Sequence, residues 1–504
     1  MLETLLANSY VQNKQYHRLI DLAESHVAKS DDPIDILVML YKEGFQEIAY
    51  DLICERNAKR PTTTNLKHLE ALCLQQSLRH EKALEVFEYL ERLAISKGQF
   101  YYTGLLHRQY MSNQTHQSEF AATKKLVSVF KESRSFLHLA GSFKKRRIRI
   151  AYLSEDFCSH PVGLLAQSFV LCHSDKFEVT VFHTGKRDDA VTSRYRSLTR
   201  LFCVSSYSKK QIASVLSDGK FDVIVDLTGY TAGSRTSLLA CRIAPLQGCF
   251  LGYLGSTGLP NVDFTISDDS LIFSGVQSWF SEEIVSLGDS KICFQPLDFY
   301  PKIIGDMGFA HRQLSFGSFS NTAKFTDQTI SLWAAVLANV KHSKLILKWN
   351  SFRDSRMRNR LFQKFEENGI ERERIELREF SPHRDLLNEY ADIDICLDTF
   401  PFSGLYTSLE ALWMGVPVVT LFTDRIASRQ TYALLTTLGL QSLAAETPSE
   451  FVKTVVSISR SRNELSQLKG QIRKKMESSV LMNTDRYVQR YEQELIRLLH
   501  ARIK

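Results

Sequence analysis

The run Asp398-Thr399-Phe400-Pro401-Phe402-Ser403-Gly404-Leu405-Tyr406-Thr407-Ser408-Leu409-Glu410-Ala411-Leu412-Trp413-Met414-Gly415-Val416-Pro417 reads as a strand end, a glycine loop, a helix and a glycine cap. A loop entering a helix N-terminus presents unpaired backbone N–H groups and the positive end of the helix dipole, which together can hold a diphosphate without a metal. Gly404 permits a close approach of ligand to backbone. Glu410, further along the helix, can accept hydrogen bonds from ribose hydroxyls. The same residues also describe an ordinary capped helix with a solvated glutamate, so the run alone leaves both readings open.

The elements that must position this loop follow from periodicity. Up to about Leu139, apolar residues recur at helical spacing with few glycines, which predicts an all-helical segment. Within it, Leu69-Glu70-Ala71-Leu72-Cys73 followed by Glu81-Lys82-Ala83-Leu84-Glu85-Val86-Phe87 has the small-then-large rhythm of a tetratricopeptide hairpin; a short array of such hairpins and a simple helical cap both fit. Beyond the basic run Lys144-Lys145-Arg146-Arg147, read as a solvated linker, β-rich stretches alternate with helices: 148–153, 177–182 and 221–226, then 315–319, 345–348, 375–377, 393–397 and 418–421. That alternation predicts two doubly wound α/β lobes with parallel sheets, whose carboxyl strand ends can share one cleft suited to a two-substrate reaction. The expected divisions are 1–140, 141–303 and 304–504, with an irregular connector from about Ser270 to Ile303.

Composition narrows the classes. At 504 residues the chain exceeds a single core. A net charge of +7, from 63 basic and 56 acidic residues, suits an anionic ligand without calling for nucleic acid. Nine singly spaced cysteines lack the pairing of a zinc site or disulfide framework, and no apolar stretch is long enough for membrane insertion, so a cytoplasmic protein with reduced thiols is expected. Asp188-Asp189 and Asp268-Asp269 read as turn residues rather than a metal-binding pair, and no metal or resident cofactor is expected.

Several motifs, in one order from about Arg147 to Leu499, resemble those of O-GlcNAc transferase-like enzymes. Besides Asp398 to Pro417 these are Ser154-Glu155-Asp156-Phe157-Cys158-Ser159-His160-Pro161, Asp226-Leu227-Thr228-Gly229-Tyr230-Thr231, Ala244-Pro245-Leu246-Gln247 with Leu251-Gly252-Tyr253-Leu254-Gly255-Ser256-Thr257-Gly258, Asp424-Arg425-Ile426-Ala427-Ser428-Arg429, and Asn483-Thr484-Asp485-Arg486-Tyr487. The resemblance implies a GT-B fold of two Rossmann-like lobes, the second holding a nucleotide sugar, with a helical repeat region ahead of them. It implies an inverting protein glycosyltransferase, with UDP-GlcNAc as donor and Ser or Thr of a protein as acceptor. UDP-glucose with an Asn or hydroxyl acceptor is the nearest enzyme alternative, and a degenerate binding subunit is the alternative of another class.

Two burdens then need carriers. For charge on the leaving diphosphate, the resemblance assigns Lys324, with Asn321 nearby and Tyr406 and Thr407 adding a backbone N–H and a hydroxyl. For the acceptor proton it assigns His160, with Asp226 as the alternative base. His383 stands where the family has a nucleotide-binding lysine, Leu386 and Leu405 where it has histidines, and Leu254 where it has a proline. Acceptor recognition is expected on the helical region, and a homo-oligomer or accessory subunit is left open.

Overall fold

The computed structural model describes residues 2–30, 32–130, 146–301 and 313–503. The divisions expected at 140/141 and 303/304, and Lys144 and Lys145 of the basic run, lie outside the described residues.

Helices from Leu2–Gln12 to His116–Val127 pack as successive antiparallel hairpins, and the tetratricopeptide-like stretch is the pair Thr64–Gln76 and His80–Ser96. Ala71, Leu74, Ala83 and Phe87 are buried together where that pair packs, as the small-then-large spacing requires, and Leu69 faces the preceding hairpin.

Thirteen strands form two all-parallel sheets among the described residues. The first contains β1 (Ile148–Ser154), β2 (Phe177–His183), β3 (Arg200–Cys203), β4 (Val223–Asp226), β5 (Leu246–Cys249), β6 (Phe264–Ser267) and β7 (Glu283–Ser286), in the order β3-β2-β1-β4-β5-β6-β7. The second contains β8 (Leu314–Ser318), β9 (Ser343–Lys348), β10 (Ile375–Arg378), β11 (Ile395–Leu397), β12 (Val418–Leu421) and β13 (Ala444–Ala445), in the order β10-β9-β8-β11-β12-β13. Strand order reverses between β1 and β4, and again between β8 and β11. Helices cover both faces of each sheet, so the central strands β1, β4, β8 and β11 are buried almost throughout.

The stretch expected as an irregular connector from Ser270 to Ile303 instead contains β7, the edge strand of the first sheet, in register Phe264 to Glu283. β7 is hard to see in the sequence because it is an edge strand of four residues, with only Ile284 and Val285 apolar, one packed on each face. β3, the other edge, and the interior strands β5 and β6 are only four residues each and carried too few apolar residues to stand out.

The carboxyl-end loops of the two sheets meet. Arg429, after β12, donates to the Ser270 carbonyl after β6 at 3.0 Å, and Leu271, Val276, Phe280, Ile426 and Ala433 form one apolar cluster across the junction. The terminal helix Thr484–Ile503 returns to the first sheet, where Tyr491 meets Tyr152 and Glu492 accepts from His173 and Ser174.

The helical region is fastened to the second lobe by a shared cap. One oxygen of Asp354 accepts from the backbone N–H groups of Glu47 and Ile48, each at 3.1 Å, while the other accepts from Arg356 N at 2.9 Å. A single carboxylate thus satisfies the first turns of helices from two different regions. Glu47, almost wholly buried, pairs with both Arg79 and Arg360. At Gly44, φ is +97° and an added Cβ would sit 2.2 Å from the Asn350 carbonyl oxygen, so only glycine allows this approach. No helix among the described residues is long and apolar enough to cross a membrane.

Candidate active site

In open α/β sheets, ligands bind outside the carboxyl strand ends where the strand order reverses. At the β8/β11 reversal two loops converge, 319–326 after β8 and 398–405 after β11. Lys324 Nζ donates to the Ser403 carbonyl at 3.1 Å and lies 4.6 Å from the centre of the Phe402 ring. Burial pushes the Lys324 ammonium down to about 8, against the opposing pull of the Asp398 carboxylate. Asp398 is itself buried and sets the loop: Oδ1 accepts from the N–H groups of Thr399 and Gly404, both at 2.8 Å, and Oδ2 from the Thr420 hydroxyl at 2.8 Å.

Gly404 is required here by space rather than by φ. An added Cβ would meet Ser408 Oγ at 2.3 Å and Thr407 Oγ1 at 3.1 Å. The helix that follows, Tyr406–Trp413, begins at Leu405 without a side-chain cap. No side chain takes its first N–H groups; the start of the helix lines a pocket with Ser318, Ser320, Asp398, Thr407 and Ser408, and the lysine ammonium lies on the loop just ahead of it. This combination of one cation, free helix-start N–H groups and hydroxyls suits a diphosphate.

Asn321 lies on the same loop, but its Oδ1 is taken by the Ala323 N–H at 2.9 Å, where it caps the turn leading to Lys324. His383 and Glu410 are brought together: His383 Nε2 hydrogen-bonds Glu410 Oε1. Tyr300 donates to the same oxygen at 3.1 Å and shares a 2.8 Å contact with the Tyr406 hydroxyl. Glu410 is only 4% exposed, so the oxygen expected to meet a ribose is already engaged by protein groups. Tyr300 was not anticipated; it lies in the irregular stretch, where the adjacent aromatics Phe299 and Tyr300 were the only signal. Phe402 and Asp398 were read as part of the motif without a role, because the lysine they face is far away in sequence.

In the first lobe, His160 lies on the loop after β1 and Asp226 is the last residue of the adjacent strand β4. His160 is the N-cap of helix Pro161–Val170: Nδ1 accepts from Val162 N at 3.3 Å, and the side chain remains 45% exposed. Desolvation by its loop, with Arg187 nearby, lowers its pKa, so the ring is neutral at pH 7. Nδ1 also lies 3.4 Å from Asp156 Oδ1; with the cap contact accepting at Nδ1, the ring carries its proton on Nε2 and that nitrogen is a donor. Asp226 is buried at 2% exposure and holds the next loop, accepting from Thr228 N at 3.0 Å, Gly229 N at 3.2 Å and the Thr236 hydroxyl. Burial raises its pKa to about 6 although all three donors oppose the rise. The acidic pairs behave as turn residues: Asp189 caps helix Ala190–Leu198, Asp188 pairs with Arg196, and Asp268 accepts from Ser270, Leu271 and Lys291 N–H groups.

A sequence profile described as glycosyl transferase family 41 matches residues 105–295 and 306–491. The chain belongs to that family. The probable UDP-N-acetylglucosamine-peptide N-acetylglucosaminyltransferase SPINDLY of Arabidopsis thaliana is 33% identical over 347 residues, covering 67% of this chain and 38% of the relative. Its counterpart in Petunia hybrida is 31% identical over 355 residues, covering 69% and 38%. The chain therefore spans 38% of the length of these curated relatives. Among solved structures, an O-GlcNAc transferase of Thermobaculum terrenum, a lysine-to-methionine variant, superposes with a TM-score of 0.88 at 25% identity, over 100% of this chain and 98% of the other. The family 41 chain is thus an O-GlcNAc transferase-like GT-B structure with a helical region ahead of two Rossmann-like lobes.

Proposed function

We propose that this family 41 chain is an inverting, metal-independent protein glycosyltransferase that moves GlcNAc from UDP-GlcNAc to a Ser or Thr hydroxyl. The observation that carries the reading is the placement of the Lys324 ammonium against Ser403, directly ahead of the uncapped start of helix Tyr406–Trp413. As the bond from the anomeric carbon to the diphosphate breaks, negative charge grows on the phosphate oxygens. Lys324, the N–H groups at the helix start and the Thr407 hydroxyl stabilise that charge without reorganising.

The acceptor hydroxyl attacks the anomeric carbon from the first-lobe side as the bond to the diphosphate breaks, and its proton passes to the departing diphosphate. With Nδ1 engaged by the cap, His160 presents an Nε2–H donor, which orients the acceptor or a sugar oxygen. Asp226, engaged by three donors, holds the 227–231 loop that shapes the same side. The partners in this reading are a protein acceptor and a nucleotide sugar, and the work is done in the cytoplasm.

The test is incubation of the purified chain with UDP- and GDP-sugars and host lysate, beside Lys324→Ala, scored by intact mass. An N-acetylhexosamine mass gain that the variant loses supports the reading. A gain from another donor reassigns the sugar, and no gain with any donor overturns the enzyme.

A further inference from the structure

The helical region reaches the donor loops themselves. The Thr322 hydroxyl, on the loop carrying Lys324, donates to Gln76 Oε1 at 2.8 Å, and both residues are buried. On the far side of Lys324, His80 Nε2 faces the Phe325 carbonyl at 3.2 Å. His80 is in turn fixed by His107, whose ring stacks on it at 5.6 Å; His107 Nε2 meets the His80 carbonyl at 2.8 Å, and its Nδ1 meets Gln75 Nε2 at 2.9 Å.

The second donor loop is held in the same way. Tyr110 packs edge-on against Phe402 with ring centres 4.9 Å apart, and the Phe402 ring also faces the Lys324 ammonium. Arg425, after β12, donates to the Met111 carbonyl at 2.7 Å and pairs with Glu119. Both loops around the cation are therefore gripped by residues of the helices between Thr64 and Val127.

We propose that Gln76, His80 and Tyr110 are positioning residues for the donor diphosphate, so that the helical region is a structural part of the donor site and not only a surface for the acceptor. This rests on the reading given under Proposed function. The physical reason is the length of the lysine side chain. Its four methylenes give the ammonium wide freedom, and electrostatic stabilisation of a leaving group depends on that charge being placed in advance. Phe402 supplies one wall and Ser403 one acceptor; the second lobe holds the Ser403 backbone through Ala427 and the Phe402 carbonyl through Thr399, while Tyr110 packs on the Phe402 ring and Gln76 and His80 hold the backbone on either side of Lys324.

The experiment is calorimetric titration of the full chain with UDP, and with GDP in parallel, for the unsubstituted protein, Tyr110→Ala, Tyr110→Phe, Lys324→Ala and the Tyr110→Ala/Lys324→Ala double variant. Tyr110→Ala is expected to weaken binding about tenfold, Tyr110→Phe to restore it, and the double variant to bind no worse than Lys324→Ala alone, because the ring acts through the lysine. Gln76→Ala gives a second measure should Tyr110→Ala fail to fold, with the same non-additivity against Lys324→Ala expected. Losses that simply add, or unchanged affinity in both helical variants, overturn this inference alone. Absence of nucleotide binding by the unsubstituted chain overturns the donor site and this inference with it.

Discussion

Lys324 Nζ and the carbonyl oxygen of Ser403 stand 3.1 Å apart although 79 residues separate them in the chain. The contact joins the loops that follow β8 and β11, the two strands where the order of the second sheet reverses. It puts the ammonium ahead of helix Tyr406–Trp413, in surroundings whose burial makes its charge sensitive to pH.

Burial holds Lys324 at about 8, below the ordinary 10.5. The charged form is present at pH 7 and is lost as pH rises through 8, so UDP affinity is expected to fall above pH 8 by up to about tenfold per unit. Lys324→Met should bind weakly and without that pH dependence in titrations from pH 6 to 9. The sign for stability is the reverse. The depressed folded pKa means that the charge costs stability at pH 7, a cost relieved between pH 8 and 10.5, so Lys324→Met should melt no lower than the parent at pH 7.

His160→Ala should lower turnover by about a hundredfold while leaving UDP affinity unchanged, because the residue lies in the other lobe. It also removes a helix cap, at about 1 kcal/mol. His160→Asn retains a capping oxygen, so the two variants should separate the melting temperature, restored, from turnover, still lost.

Asp226→Asn replaces an acceptor with an amide N–H₂ that faces the donors Thr228, Gly229 and Thr236. A loss of about 2 kcal/mol in urea denaturation is expected, larger than a solvent-facing base would show. A stable variant that has lost only turnover would instead return Asp226 to the role of base.

Tyr300→Phe removes one of the two donors to the buried Glu410 carboxylate and the contact to the Tyr406 hydroxyl. About 1–2 kcal/mol of stability should be lost, measurable in the same denaturation experiment, with weaker UDP binding because Tyr406 opens the donor helix.

Asp354→Ala leaves three backbone N–H groups without their acceptor, two in the helical region and one in the second lobe. The expected cost is about 2–3 kcal/mol, the sum of two caps. Proteolysis should report it first in the helices around Glu47, whose docking depends on that carboxylate.

By itself the sequence determined the kinds of element and the chemistry of the loops. Helical spacing announced the hairpins up to Val127, and the buried runs of β1, β4, β8 and β12 were legible because parallel strands covered on both faces must be apolar along their length. The spaced motifs carried Lys324, Gly404, Thr407 and His160 into view, since a glycine loop before a helix has a chemical meaning that does not depend on its surroundings.

Only the tertiary structure decided what each group is free to do. Glu410 reads as open to a ribose until His383 and Tyr300 are seen on its oxygen, and Asp226 reads as a base until Thr236 is. The edge strand β7 was hidden because it is four residues long and carries only two apolar residues, Ile284 and Val285. The partners Tyr110 and Phe402, or Asp354 and Glu47, were hidden for a different reason: contacts between distant segments depend on packing, and packing leaves no periodicity in the chain.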